Sequence, residues 1–160
     1  MFIATMFSYG MDDDCVGVDG IRGCMGVFLA YRPALYAIHL PEGKDERNHQ
    51  GRKAFVTFIR QRIPSFQGNN ARLYGVLNGD NRPGAWNELQ DFCTDLGIGS
   101  FTLVRLRKNL GVEGSQQDAA AVLCEYIPHS SDCKLKYQKA NDVKWTKGVG
   151  TPRYSFYFNN

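Results

Sequence analysis

Cys24 lies in the run Asp19-Gly20-Ile21-Arg22-Gly23-Cys24-Met25-Gly26-Val27, and His39 follows fifteen residues later in Ala37-Ile38-His39-Leu40-Pro41. A thiol and an imidazole make a nucleophile and a base. An imidazolium beside a thiol lowers its pKa and leaves a thiolate at rest, and the same ring can later protonate a leaving group. Glycines around the cysteine let a ligand approach the main chain closely and leave N–H groups free to face a developing oxyanion. The residues by themselves also allow Cys24 to be a small buried hydrophobe and His39 a hydrogen-bonded core histidine.

The pair can act only if the chain brings it together. Residues 25–31 are a continuous apolar run and residues 35–40 another, joined by Arg32-Pro33, which predicts a hairpin with Cys24 and His39 at its open end. Strands are also predicted over residues 2–7, 15–18, 72–78, 101–107 and 119–126. From Asp45 the period becomes helical, with Phe55, Phe58, Ile59 and Ile63 on one face until Pro64 ends the segment. A second helix is predicted over residues 85–96, with Trp86, Leu89, Phe92, Cys93 and Leu96 on its apolar face and Gly97 at the C-cap. Residues 79–84 and 109–117 read as loops. No internal repeat or low-complexity segment is visible.

Composition sets the frame. With 160 residues, 43% of them hydrophobic and only 6 prolines, the chain fits one α+β domain over residues 1–160 and excludes disorder or a collagen-like repeat. The longest apolar run is broken by Arg32 and Pro33, so no membrane-spanning segment is expected, and the N-terminus lacks the basic region of a secretory signal. Five cysteines without a Cys-x-x-Cys pair argue against a zinc ribbon or a full disulfide framework and favour a reducing compartment with at least one free thiol.

The segment from residue 134 to 160 carries Lys134, Lys136, Lys139, Lys144, Lys147 and Arg153 against Asp142 alone, interleaved with aromatic residues. Such a pattern can bind single-stranded nucleic acid. The preferred reading is a terminal hairpin of edge strands, residues 134–139 and 153–158, whose lysines block aggregation, with contact to a protein substrate more fitting than nucleic acid. Other candidates carry less. His129 with Cys133 is half of a metal site without further ligands, so no metal or other cofactor is expected. Asp12-Asp13-Asp14 lacks the glycine and glutamate of a calcium loop, His49 and His129 read as surface residues, and Gly97-Ile98-Gly99 follows a helix rather than a strand, the wrong context for a dinucleotide site.

Ile21-Arg22-Gly23-Cys24 resembles the Leu-Ser-Gly-Cys motif of the cytotoxic necrotizing factor toxins, whose catalytic histidine stands at the same spacing as His39. The run is also similar to the Gly-Ser-Cys and His-x-x-Leu-Pro motifs of the chemotaxis receptor glutamine deamidases, with Cys24 and His39-Leu40-Pro41 in the matching places. The resemblance covers roughly residues 15–126. It implies a β-sandwich or mixed sheet flanked by two main helices. It also implies protein-glutamine deamidation, with Cys24 as nucleophile, His39 as general base and acid, and the Gly23 and Cys24 main chain as oxyanion donors.

Two positions depart from the pattern. Val18 stands six residues before Cys24, where the chemotaxis enzymes and the lethal-factor deamidases have threonine. The necrotizing factor toxins orient the ring with a main-chain carbonyl instead, so the third group is left unassigned. Arg22 replaces a small residue, and its guanidinium either acidifies the neighbouring thiol or points to solvent. The expectation is a bacterial effector or toxin catalytic unit, made in the bacterial cytoplasm, exported without a visible signal and acting on a protein that carries the target glutamine. The alternatives are a non-catalytic protein- or nucleic-acid-binding module on the same fold, and a cysteine protease or transglutaminase-like enzyme.

Overall fold

A computed structural model of the chain describes residues 1–79, 82–106, 120–130, 132–139 and 155–158. Among them the strands are β1 (Phe2–Ala4), β2 (Ser8–Asp12), β3 (Cys15–Ile21), β4 (Met25–Tyr31), β5 (Ala34–Leu40), β6 (Arg72–Leu77), β7 (Thr102–Arg105), β8 (Ala120–Tyr126), β9 (Cys133–Lys139) and β10 (Ser155–Tyr157), with helices α1 (Asp45–Arg62) and α2 (Ala85–Leu96). They form a six-stranded mixed sheet in the order β10-β2-β5-β4-β6-β7 and a four-stranded mixed sheet in the order β1-β3-β8-β9. The chain is thus α+β, with two helices and two mixed sheets.

Strand alternation explains the layering. On β4, Val27 and Leu29 belong to a core shared with Phe55, Leu89 and Phe92 of the helices. Phe28 and Ala30 instead join Val16, Val18, Val122 and Cys124 of the smaller sheet. The large sheet is therefore the middle layer, buried on both faces, and β4 and β5 read as unbroken apolar runs for that reason. Both helices lie on one face of it. Acidic Asp45 and Glu46 begin α1 and basic Arg60 and Arg62 end it, opposing the helix dipole, while Gly97 closes α2 in the left-handed conformation at φ 66°.

Four expectations change. The strand expected over residues 2–7 stops at Ala4, and after a turn in which Phe7 takes a positive φ of 61° a separate strand, β2, begins at Ser8. Strand β3 runs to Ile21, beyond the expected end at residue 18. The two tail strands do not form a hairpin: β9 pairs with β8 in the small sheet and β10 with β2 in the large one, although each is an edge strand. Trp86 is not in the apolar face of α2; it is 55% exposed and meets the Phe101 ring edge-on. The expected loop over residues 109–117, most of the tail and part of the loop over residues 79–84 lie outside the described residues.

Candidate functional site

The hairpin forms as expected, β4 and β5 pairing in antiparallel register with Met25 opposite Leu40 and Gly26 opposite His39. Residues two apart on a strand share a face, so continuing β4 by one residue sets Cys24 on the His39 face, one step toward the end of the sheet. Pairing of β4 with β6 matches Met25 to Leu77, so the next pair in that register is Cys24 with Asn78, a buried polar residue. Gly26 lies close to the facing sheet: a Cβ there would come within 3.1 Å of Ile21 and 3.2 Å of Val18, tight contacts that those side chains would have to ease. Three strands thus bring Cys24, His39 and Asn78 to one end of the sandwich.

His39 is 2% exposed, and neither ring nitrogen completes a hydrogen bond. Burial without a partner penalises the charged ring and pushes its pKa down to about 4; the Ala4 carbonyl offsets part of this, while the Arg82 guanidinium adds to it. The ring is neutral at pH 7, so the resting imidazolium expected from the sequence is absent. Cys24 keeps 8% of its surface and belongs to neither apolar cluster. Its thiol is not hydrogen-bonded to His39 in this state.

Arg82 organises the backbone of the site. Its Nε and Nη2 donate to the Glu88 carboxylate at 2.7 and 2.7 Å, and its Nη1 donates to the carbonyls of Leu40 at 3.0 Å, Pro41 at 3.2 Å and Gly23 at 3.4 Å. One buried side chain therefore ties the nucleophile turn to the end of the histidine strand. Gly23 lies against the exposed Glu42 carboxylate, which would have to swing away if the glycine carried a Cβ. Beyond Glu42 opens a cleft of about 480 Å³ between the sheet end and the two helices, walled by Leu40, Arg82 and Phe92 among others. A larger cavity, about 690 Å³, sits at the far end of β4 near Arg32, Arg72 and Tyr126, and neither space is lined by Cys24 or His39.

The remaining candidates have structural roles. Asp12 accepts hydrogen bonds from the Asp14 and Cys15 main chain and so caps the turn into β3. His49 accepts from Arg52. His129 occupies a turn, and Cys133 lies beside Cys124 on paired strands β8 and β9, the neighbouring thiol and nearby guanidiniums pulling the Cys133 pKa down. Arg22 is exposed and Val18 is buried against Gly26 with no polar atom to offer His39. All five cysteines are free thiols. Ala4, Asn78 and Arg82 were invisible as site residues in the sequence: a main-chain carbonyl leaves no side-chain signal, and Arg82 sits in a loop 58 residues from Cys24. No protein-family model matches the chain, and no curated protein matches it in sequence.

Proposed function

We propose that the chain is a cysteine amidohydrolase that deamidates a glutamine side chain of a protein, with Cys24 as nucleophile and His39 as general base and then general acid. The reading is carried by the strand register that sets Cys24 beside a neutral, unpartnered, buried histidine. A neutral imidazole is the form that can accept the thiol proton as sulfur attacks the amide carbon. The oxyanion faces the Gly23 and Cys24 main-chain N–H groups. His39 then delivers the proton to the departing ammonia. Water, deprotonated by the same ring, attacks the thioester; glutamate leaves and the proton returns to sulfur. The Ala4 carbonyl, which eases charging of the ring without completing a hydrogen bond to it, is the candidate for the orienting role that Val18 cannot fill. The necrotizing-factor-like motif is the ground for placing this activity in a bacterial effector or toxin unit.

Incubation with a library of glutamine-containing peptides tests the reading. Wild type is expected to release ammonia and add about 1 Da at glutamine, while Cys24→Ser and His39→Ala do neither. Identical mass spectra from wild type and Cys24→Ser would leave Cys24 as a buried small hydrophobe and the chain as a binding module.

A further inference from the structure

We propose that the cleft beside Gly23 receives a lysine or arginine side chain of the protein substrate, within a few residues of the target glutamine. Four carboxylates line it, Glu42, Asp45, Glu88 and Asp91, against two guanidiniums, Arg52 and Arg82. Both guanidiniums are already matched. Arg82 is held by Glu88 and three carbonyls, and Arg52 binds Asp95 at 2.9 Å and Asp91 at 3.3 Å. Glu42 and Asp45 are exposed and meet no cation among the described residues.

A second observation points the same way. Asn48, 4% exposed, is part of the cleft wall; its Nδ2 donates to the Pro41 carbonyl at 2.6 Å, and its Oδ1 accepts from nothing. A buried acceptor without a donor, beside two unmatched carboxylates, is the complement of an ammonium or guanidinium, which carries several donors and no acceptor. The cleft is large enough for such a side chain and shares the Glu42 wall with the nucleophile turn. The cleft opens on the helix side of the sheet end and Cys24 faces the small sheet, so a peptide that crosses the sheet end from Cys24, over the Gly23–Glu42 contact, would set a nearby basic residue into it. Choosing substrate in this way rests on the amidohydrolase reading; binding of the cation does not.

Two arms separate the claims. In the first, fluorescein-labelled peptides with one glutamine flanked by Lys, Ala or Glu are titrated onto the Cys24→Ser protein. The Lys peptide is expected to bind at least tenfold more tightly than the Glu peptide, with the difference shrinking as salt rises and falling about tenfold in Cys24→Ser/Glu42→Gln/Asp45→Asn. Circular dichroism checks that this variant is folded, as expected for exposed positions. Equal binding of the three peptides, or an unchanged preference in the variant, overturns the proposal. In the second arm the same peptides meet the protein with Cys24 intact. Deamidation with a lower KM for the Lys peptide supports both claims, deamidation indifferent to the flanking charge overturns the cleft alone, and binding preference without deamidation of any peptide overturns the amidohydrolase reading while the cleft stands.

Discussion

His39 is the residue at which burial and chemistry meet. Its folded pKa of about 4 lies below the ordinary 6.5, so between those values the unfolded chain binds a proton that the folded chain refuses. Stability from this group is therefore fully present above about pH 6.5 and is lost as the pH falls toward 4, by roughly 3 kcal/mol at about 1.4 kcal/mol per unit. Urea unfolding of wild type at pH 7.5 and pH 4.5 should show this loss, and His39→Gln, which cannot charge, should show a shallower dependence over the same interval. Parallel pH profiles for the two proteins would mean that the folded ring accepts its proton without penalty. The same burial bears on the proposed activity: the ring is in its base form throughout the neutral range, but a pKa of about 4 makes it a weak acceptor for a thiol proton, so the transfer requires substrate or a partner group to relieve the burial penalty on the charged ring.

At the scale of elements, the packing of α2 on β6 is controlled by one small residue. Gly75 faces Leu89 so closely that any Cβ there would overlap the leucine methyls. Gly75→Ala should cost about 1–3 kcal/mol by overpacking, and Leu89→Ala about 2–5 kcal/mol by leaving a cavity. Each change relieves the other, so the double variant should lose clearly less than the sum, which denaturant unfolding of all four proteins would measure. Strict additivity would place the two side chains apart.

Elements of this kind were legible in the sequence to different degrees. Helix α2 was found with its true ends, 85 and 96, because a strong apolar periodicity stops at a glycine cap. The β4–β5 hairpin was found because two apolar runs flank Arg32-Pro33. Helix α1 was found from Phe55, Phe58 and Ile59, although its first two turns are polar. Strand β2 was missed, since Ser8, Gly10 and Asp12 interrupt its pattern, and Phe7 turns the chain with a left-handed φ that no phenylalanine signals in advance. The destinations of β9 and β10 were missed because pairing partners across a sandwich are set by tertiary packing, which local pattern does not record. For the site, the nucleophile and base are visible as residue types at a spacing; the neutrality of His39 is not, because it follows from burial in the folded sandwich and from the Arg82 guanidinium, which comes from a distant segment.

For the whole molecule, the middle sheet couples everything. Alternate residues of β4 and β5 supply both apolar clusters: Val27, Leu29, Tyr36 and Ile38 face the helices, and Phe28, Ala30, Leu35 and Ala37 face the small sheet. Neither cluster can be lost without exposing one face of the strands that build the other. The described structure should consequently unfold in one transition, with secondary structure by far-ultraviolet circular dichroism and tertiary structure by tryptophan fluorescence changing at the same denaturant concentration. Phe28→Ala, which empties the sheet-facing core, and Phe92→Ala, which empties the helix-facing core, should each cost about 3–5 kcal/mol and shift that single transition without splitting it. Because Cys24 and His39 sit at the end of the same two strands, the proposed thiol chemistry should fade in step with the unfolding signal in both variants. A variant that kept a native far-ultraviolet spectrum while losing only the helix-facing or only the sheet-facing core would show that the layers fold separately, and the site would then depend on one of them alone.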